Sequence, residues 1–594
     1  MSMTKPDVVV LCWGSPTRAD RNAQKIAAFM GANVTCVALD PATVRDDALD
    51  RTLVPRSTSL IVQAETIAAI GDAKQAGASA VRDWACDVAQ HVCVFGFQPT
   101  DRHAAILRAW SSGALVGFQP LVQKDAPFHV TNSDGDACGP LSGLSLGTTD
   151  STRDGCFVER AGEGRSASII RADDSPFFVR ADHRGAQLFF LASGELADLD
   201  EQLGGETRLL SWFSRVVPLM IFLRAALQDR VWHSDNPRAC LIIDDPLLSS
   251  RYGFLDYTQL AASMRRQAFS ACIAFIPWNY RRSKREVAAL FSSTDQVLRL
   301  CVHGCDHTRG EFATTDVESL RAKAQLALER MQAHRELSDV PFDDVMVFPQ
   351  GLFSTEAMSA LKASGFLAAV NSALYPSGRS HTLALRELLD VAVTSFGDFP
   401  LFSRRYPRDL SEFALDLFLG KPVLAVEHHK YFRNGYAPIE SFVEQLNGLD
   451  RRLEWTDLGT ICSRASLTRT GDTGEVHVRF YTDRFRLTNT GASPQAYVLH
   501  QRQTSDRPLP AVSVNGHTPA REVVEGDLLV RLSLDAGQTA EVRVLSDRGG
   551  AVRSPRKETR IHDAGVRIRR HLSEFRDNHV DTSPTLSAIV ALCR

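Results

Sequence analysis

Three apolar runs in the middle of this chain end in titratable residues. Leu241-Ile242-Ile243 runs into Asp244-Asp245-Pro246, Leu300-Cys301-Val302 into His303-Gly304-Cys305-Asp306-His307, and Val423-Leu424-Ala425-Val426 into Glu427-His428-His429-Lys430. An ionised carboxylate at the end of a buried strand needs a partner. Adjacent residues there point in different directions, so one of Asp244 and Asp245 can hold a metal while the other faces a substrate. A turn with a helix N-cap would use the same Asp-Asp-Pro. His303 and His307 point the same way if the chain turns helically after the strand. Neutral imidazoles are good zinc ligands, and Gly304 lets the backbone approach closely. Taken alone, the two histidines could equally be a structural pair. With Asp245 they make a His₂Asp set that leaves positions open for water and substrate. Cys305 is out of step with both histidines and reads as an inert thiol. At the third strand end a histidine could act as a general acid. His428 and His429 face opposite ways if the strand continues, and His428 is the one expected in the site.

These residues need elements to position them. Residues 229–465 alternate strand and helix patterns, with strands expected at 239–243, 270–276, 298–302, 345–348, 367–370, 391–395 and 422–427. A helix is expected over 317–337, with Leu320, Ala324, Leu328 and Met331 along one face. Repeated β-then-α is the pattern of a barrel whose strand ends converge on one active-site face. Residues 1–228 open with a β-branched run at 8–11. A helical segment follows with Ala19, Ala23, Ile26, Ala27 and Met30 on one face, then a strand at 34–39. Further parallel strands at 59–62, 92–97 and 188–192 make this an open α/β sheet of flavodoxin or glutamine-amidotransferase type. Its first loop, Cys12 to Thr17, is neither a dinucleotide fingerprint nor a P-loop. With no nucleophile elbow in the block, a binding or docking role is expected there. The apolar stretch 208–227 is expected to pack between the first and second blocks.

Residues 466–548 change to short β runs at 476–481, 496–499, 528–532 and 540–544 separated by Gly, Asn and Asp, which predicts a small antiparallel β-sandwich. The tail, 549–594, begins with a loop at Arg553-Ser554-Pro555 and continues as a helix with Ile568, Leu572 and Phe575 on one face. Arg567, Arg569, Arg570 and Arg576 make that helix basic. It is expected to dock on the body with a solvated charged face, or to meet an acidic partner.

Composition bounds the partners. The chain has 594 residues, 44% hydrophobic and 23% charged, which excludes a disordered, collagenous or coiled-coil protein. Its 67 Lys and Arg against 70 Asp and Glu give a net charge of −3, so no global basic field for nucleic acid exists. No run of about 18 apolar residues stands out, so no membrane span is expected. The first apolar run is too short for a signal peptide. The 12 cysteines are scattered, often in apolar runs and without a CxxC pair. Reduced thiols in a cytoplasmic protein explain that usage.

The order of the aspartate pair, HxxxH, Phe348-Pro349-Gln350-Gly351 and a strand-end histidine resembles the NodB-homology polysaccharide deacetylases (carbohydrate esterase family four). The following helix and Gly365-Phe366 before the next strand match that family's rhythm. The resemblance covers residues 237–460 only. It implies a distorted (β/α)₇ barrel with one divalent metal, zinc by ligand type, acting on an N-acetylated sugar or glycan. It also implies roles: Asp244 as general base, Asp245, His303 and His307 as metal ligands, His428 as the acid that protonates the leaving amine, and a backbone N–H near Pro349–Gly351 for the oxyanion. The sequence departs from the family pattern in carrying Ile242-Ile243 for Thr-Phe and Gly304 for Ser/Thr. Val347-Phe348-Pro349-Gln350 lacks the family's Arg and Tyr. Arg404 or Arg405 could supply that arginine from another loop. A metal-containing but non-catalytic carbohydrate-binding scaffold is the alternative.

Overall fold

The computed structural model describes residues 6–40, 54, 57–121, 125–160, 166–205, 207–293, 296–378, 381–503, 510–524, 526–545 and 560–583. The chain forms two compact units. The first comprises Met1–His233 with Leu383–Leu389 and Thr468–Gly471, and the second comprises the rest.

The first unit is built on β1 (Val8–Trp13), β2 (Val34–Leu39), β3 (Ser57–Gln63), β4 (Ala89–Phe95), β5 (Pro127–Val130), β6 (Ser145–Thr148), β7 (Ser166–Ala172), β8 (Ser175–His183) and β9 (Ala186–Leu191). They form one nine-stranded sheet in the order β2-β1-β3-β4-β9-β8-β7-β5-β6. The strands from β2 to β9 are parallel, and that half has the strand order of doubly wound sheets. The other half is antiparallel, a part that the parallel-strand expectation does not contain. Thr17 starts the first helix, Arg18–Phe29, through a reciprocal capping box with Asp20. The apolar helix Phe213–Leu227 packs on this unit's own sheet, against β3, β4 and β6. Among the described residues, Leu209–Arg230 is long and apolar enough to cross a membrane, and 72% of its most apolar window is buried in the protein.

In the second unit, β10 (Arg238–Asp244), β11 (Ala271–Phe275), β12 (Leu298–His303), β13 (Phe342–Val347), β14 (Ala368–Asn371), β15 (Leu401–Ser403) and β16 (Val423–His428) pair in parallel. Their order is β15-β14-β13-β12-β11-β10-β16. Beyond β15 the chain reaches β16: Arg405 N–H donates to Leu424 C=O and Val426 N–H to Arg405 C=O, both at 2.9 Å. Those bonds close the ring. Strands walled on both faces read as continuous apolar runs, and β10, β11 and β16 are buried nearly throughout. The sixth strand is β15 rather than 391–395. Val393 makes only an isolated antiparallel bridge to Leu401, so that β-branched stretch leads into the strand instead of being it.

The second unit continues into a β-sandwich. Gln495–Arg502 and Asp527–Leu534 pair antiparallel in one sheet, and Arg484–Thr488, Thr539–Leu545 and Ala511–Val514 form the other. Its core holds Val478, Phe480, Phe485, Leu499, Leu528, Val530 and Val542. The sandwich is not purely antiparallel, because Val476–Phe480 runs parallel to Gln495–Arg502. In the tail, the expected loop at 553–559 lies outside the described residues. The helix Arg560–Phe575 forms, but its apolar stripe is not its docking face. Ile568, Leu572 and Phe575 are exposed, while Val566, Arg570 and Glu574 are buried. The surface beneath offers Arg282 as an ionic partner for Glu574, which draws the charged face inward. The described cysteines are all free and mostly buried.

Candidate active site

The C-terminal ends of β10, β12 and β16 bring the sequence-predicted residues into one neighbourhood. Asp244 ends β10, and Asp245 follows with φ +75°. That left-handed turn sends the two carboxylates to different partners. His303 ends β12. The chain after it does not turn helically, as the spacing suggested. It wraps as a loop around Glu311, a buried carboxylate that accepts the backbone N–H groups of Cys305, Asp306 and His307 at 2.9, 3.1 and 3.1 Å. Left-handed residues at Gly304 (φ +64°) and His307 (φ +57°) turn the second imidazole back toward the first. A Cβ at Gly304 would collide with Glu311 and Pro349, so only glycine fits there.

The resulting geometry is convergent. His303 Nε2 and His307 Nε2 each lie 2.9 Å from Asp245 Oδ1. These approaches lack hydrogen-bond direction, and Oδ1 remains a buried oxygen without a donor. His303 Nδ1 is 3.0 Å from the Val347 carbonyl. Donating there leaves the Nε2 lone pair facing Asp245, the usual way a ligating imidazole is oriented. Burial works against the charge on Asp245, yet His307 and His303 in their protonated forms, whose positive charge a bound cation would replace, hold its carboxyl well below the ordinary range. The donor set, its mutual distances and its orphaned oxygen fit a divalent ion. Cys305 stays outside the set, with its sulfur 3.3 Å from Arg330 Nη1.

Beside this set, Arg404 grips Asp244 with two parallel bonds of 2.7 Å, Nη1 to Oδ1 and Nη2 to Oδ2. Of the two candidate arginines, Arg404 turns inward, and Arg405 turns to Asp416 and Glu412. Burial raises the Asp244 carboxyl. Arg404 and His303 outweigh it and hold the group below its ordinary value, with His428 adding a smaller contribution. His428 is the register partner of Asp244 across β10 and β16 and is half-buried. His429 points elsewhere: it packs edge-on to Tyr252, with its Nε2 3.7 Å from Asp577. Glu427, which the sequence reading passed over, has its carboxyl pushed up to about 7 by burial, with Asp244 contributing. In the turn after β13, Pro349 has no N–H and Gly351 N–H bonds Phe348 C=O. Gln350 (φ +55°) therefore carries the remaining backbone donor of Pro349–Gly351. Sequence reasoning missed Glu311. Its signal was an acid four residues after His307, inside a Gly-flanked loop.

No protein-family model matches this sequence, and no curated protein is similar to it by sequence. Solved structures are similar to it in fold. Agd3, a carbohydrate deacetylase, aligns over 91% of this chain and 99% of its own at 11% identity and TM-score 0.47. A family 4 carbohydrate esterase from Streptomyces lividans aligns over 38% of this chain and 94% of its own at 13% identity and TM-score 0.24. A family 4 pseudoenzyme from Bacillus anthracis aligns over 39% and 66% at 10% identity and TM-score 0.23.

Proposed function

We propose that this chain is a metal-dependent hydrolase that removes the acetyl group from the nitrogen of an N-acetylated sugar or glycan, releasing acetate. The observation that carries the reading is the convergence of Asp245, His303 and His307 beside a carboxylate held ionised by Arg404. A divalent ion in that set, zinc by ligand type, would supply Lewis acidity to the acyl carbonyl and acidify water. Asp244 takes the proton of the attacking water. Arg404 holds its carboxylate in place and leaves the outer lone pairs of both oxygens for that proton. We assign the oxyanion donor to the backbone N–H of Gln350, the one left over in the turn Pro349–Gly351. His428, on the strand next to Asp244, gives a proton to the departing nitrogen, without which an amine is a poor leaving group. A glycan-binding scaffold has no need of an ionised base beside a metal ligand, and the two bonds from Arg404 orient Asp244 as such a base requires.

The test is acetate release from N-acetylhexosamine oligomers, read together with metal content. The wild type should bind about one ion per chain and release acetate. Asp244→Asn should keep the metal and lose turnover, and wild-type turnover in that variant removes Asp244 as the base. Full metal occupancy in a His303→Ala, Asp245→Ala double variant refutes the site.

A further inference from the structure

The C-terminal segment arcs over the active-site end of the barrel. His562 Nε2 is 3.1 Å from Asp306, in the loop after β12. Glu574 takes a two-pronged contact of 2.6 and 2.7 Å from Arg282, after β11. Asp577 accepts the Tyr252 hydroxyl and Asn578 the Gly253 N–H, both at 2.7 Å, after β10. Asp581 meets Lys430 at 2.9 Å, after β16. The segment thus crosses four neighbouring strand ends in succession and rims the mouth that holds the metal set.

Its two faces are reversed from the ordinary arrangement. A helix lying on a protein normally buries its apolar stripe. Here the acids Glu574 and Asp577 face the barrel, and Arg570 is buried with them. Ile568, Leu572 and Phe575 are 63%, 65% and 57% exposed. Their spacing of four and three places them on one stripe, and the exposed Arg567 and Arg569 flank it. One exposed leucine needs no explanation. Asp563, in the first turn, is exposed as well, but a helix that turns three large apolar residues with Arg567 and Arg569 outward, while Glu574 and, just beyond its end, Asp577 are neutralised inward, has the pattern of an interfacial helix. Charge complementarity selects the surface: phosphate-bearing headgroups for the arginines, with an apolar layer beneath them for the stripe.

We propose that the helix Arg560–Phe575 docks this protein on an anionic lipid surface. Ile568, Leu572 and Phe575 enter the headgroup boundary, and Arg567 and Arg569 meet lipid phosphates. Because the helix rims the mouth, docking holds the metal set at the membrane face. The substrate is then an N-acetylated glycan displayed on a lipid, a consequence that, unlike the docking, rests on the hydrolase reading.

Co-sedimentation of the full chain with vesicles of phosphatidylcholine alone, or of phosphatidylcholine mixed with phosphatidylglycerol, tests the docking without measuring hydrolysis. The expected result is at least about tenfold stronger partition to the anionic vesicles, weakened by salt. Ile568→Ser, Leu572→Ser, Phe575→Ser in combination should abolish binding. Circular-dichroism melting should be unchanged, because these side chains are exposed. Arg567→Glu with Arg569→Glu should remove the anionic preference. Failure of the wild type to sediment with anionic vesicles overturns the proposal, as does binding that survives the triple serine variant. Binding to soluble polyglutamate in place of vesicles, dependent on the arginines and indifferent to the stripe, also overturns it and identifies an acidic protein partner instead. A protein that binds vesicles but releases no acetate leaves the docking standing and removes the hydrolase reading.

Discussion

Arg404 and Asp244 form a buried, two-pronged ion pair, with Nη1–Oδ1 and Nη2–Oδ2 both at 2.7 Å and both side chains about 95% shielded from solvent. The pair joins the residue after β15 to the end of β10, over the end of the intervening β16. It fixes the orientation and the charge of the carboxylate beside the metal set.

Arg404→Ala should therefore cost stability and shift the pH profile together. Leaving a buried carboxylate unpaired costs about 3–5 kcal/mol. The sign for activity follows from the direction of the shift. Asp244 is held low, so it stays ionised as pH falls. Without Arg404 its pKa rises, and the acid limb of acetate release moves to higher pH. Arg404→Lys keeps the charge but loses the fork and should fall between. An acid limb that does not move in Arg404→Ala, measured on the folded fraction, would separate Arg404 from the function of Asp244.

Glu311 organises the loop carrying His307 without approaching the metal set itself. Glu311→Gln replaces one carboxylate oxygen with an NH₂ group facing backbone donors. Metal affinity should fall by about 10- to 100-fold, the range for residues that orient ligands. Gly304→Ala should act the same way, because its Cβ would strike Glu311. Zinc titration of both variants checks this, and wild-type affinity in Glu311→Gln would show that the loop holds its shape by other means.

The parts of the site that could be read in the sequence were those at the ends of buried strands. An apolar run that stops at Asp244, His303 or His428 marks both a strand and the side chain it delivers. Arg404 was reachable only as one of two adjacent arginines. The choice between them depends on which face of a short strand end looks inward, and that is fixed by the pairing of Arg405 with β16. Glu311 was hidden because its work is done on backbone N–H groups, which leave no trace in side-chain spacing. The sixth strand was misplaced because 391–395 carries the β-branched pattern and Leu401-Phe402-Ser403 does not, so only the pairing with β14 and the approach to β16 identify it. The tail helix was read correctly as amphipathic and wrongly as docking by its apolar face, because periodicity gives the stripe but not what covers it.

His428 and His429 should separate cleanly on substitution. His428→Ala should reduce acetate release by about 10²- to 10⁴-fold, the usual weight of a general acid, with little change in melting temperature. His429 is 5% exposed and packs on Tyr252 and Gly253 beside Asp577. His429→Ala should lower the melting temperature and loosen the tail. Parallel melting curves and acetate assays check the pair, and the opposite pattern would exchange their roles.

Asp343 tests the electrostatics at the other end of the barrel. It lies near the start of β13, on a cavity of about 330 Å³ shared with Arg299, Asp457 and Arg484. Burial, and then the charge of Asp457, push its carboxyl from the ordinary 3.8 up to about 7. One of its oxygens is buried without a donor, which suits a protonated acid better than an ionised one. The folded chain therefore keeps a proton that the unfolded chain has already released. The stability this group contributes is fully present below about pH 4 and is lost as pH rises through about 7, by up to roughly 4 kcal/mol. Asp343→Asn carries the neutral form at every pH and should not show that loss. Urea midpoints of the two proteins should diverge in favour of the asparagine variant between about pH 4 and pH 7 and then run parallel. A difference that stays constant across that window would mean Asp343 is ionised in the folded chain.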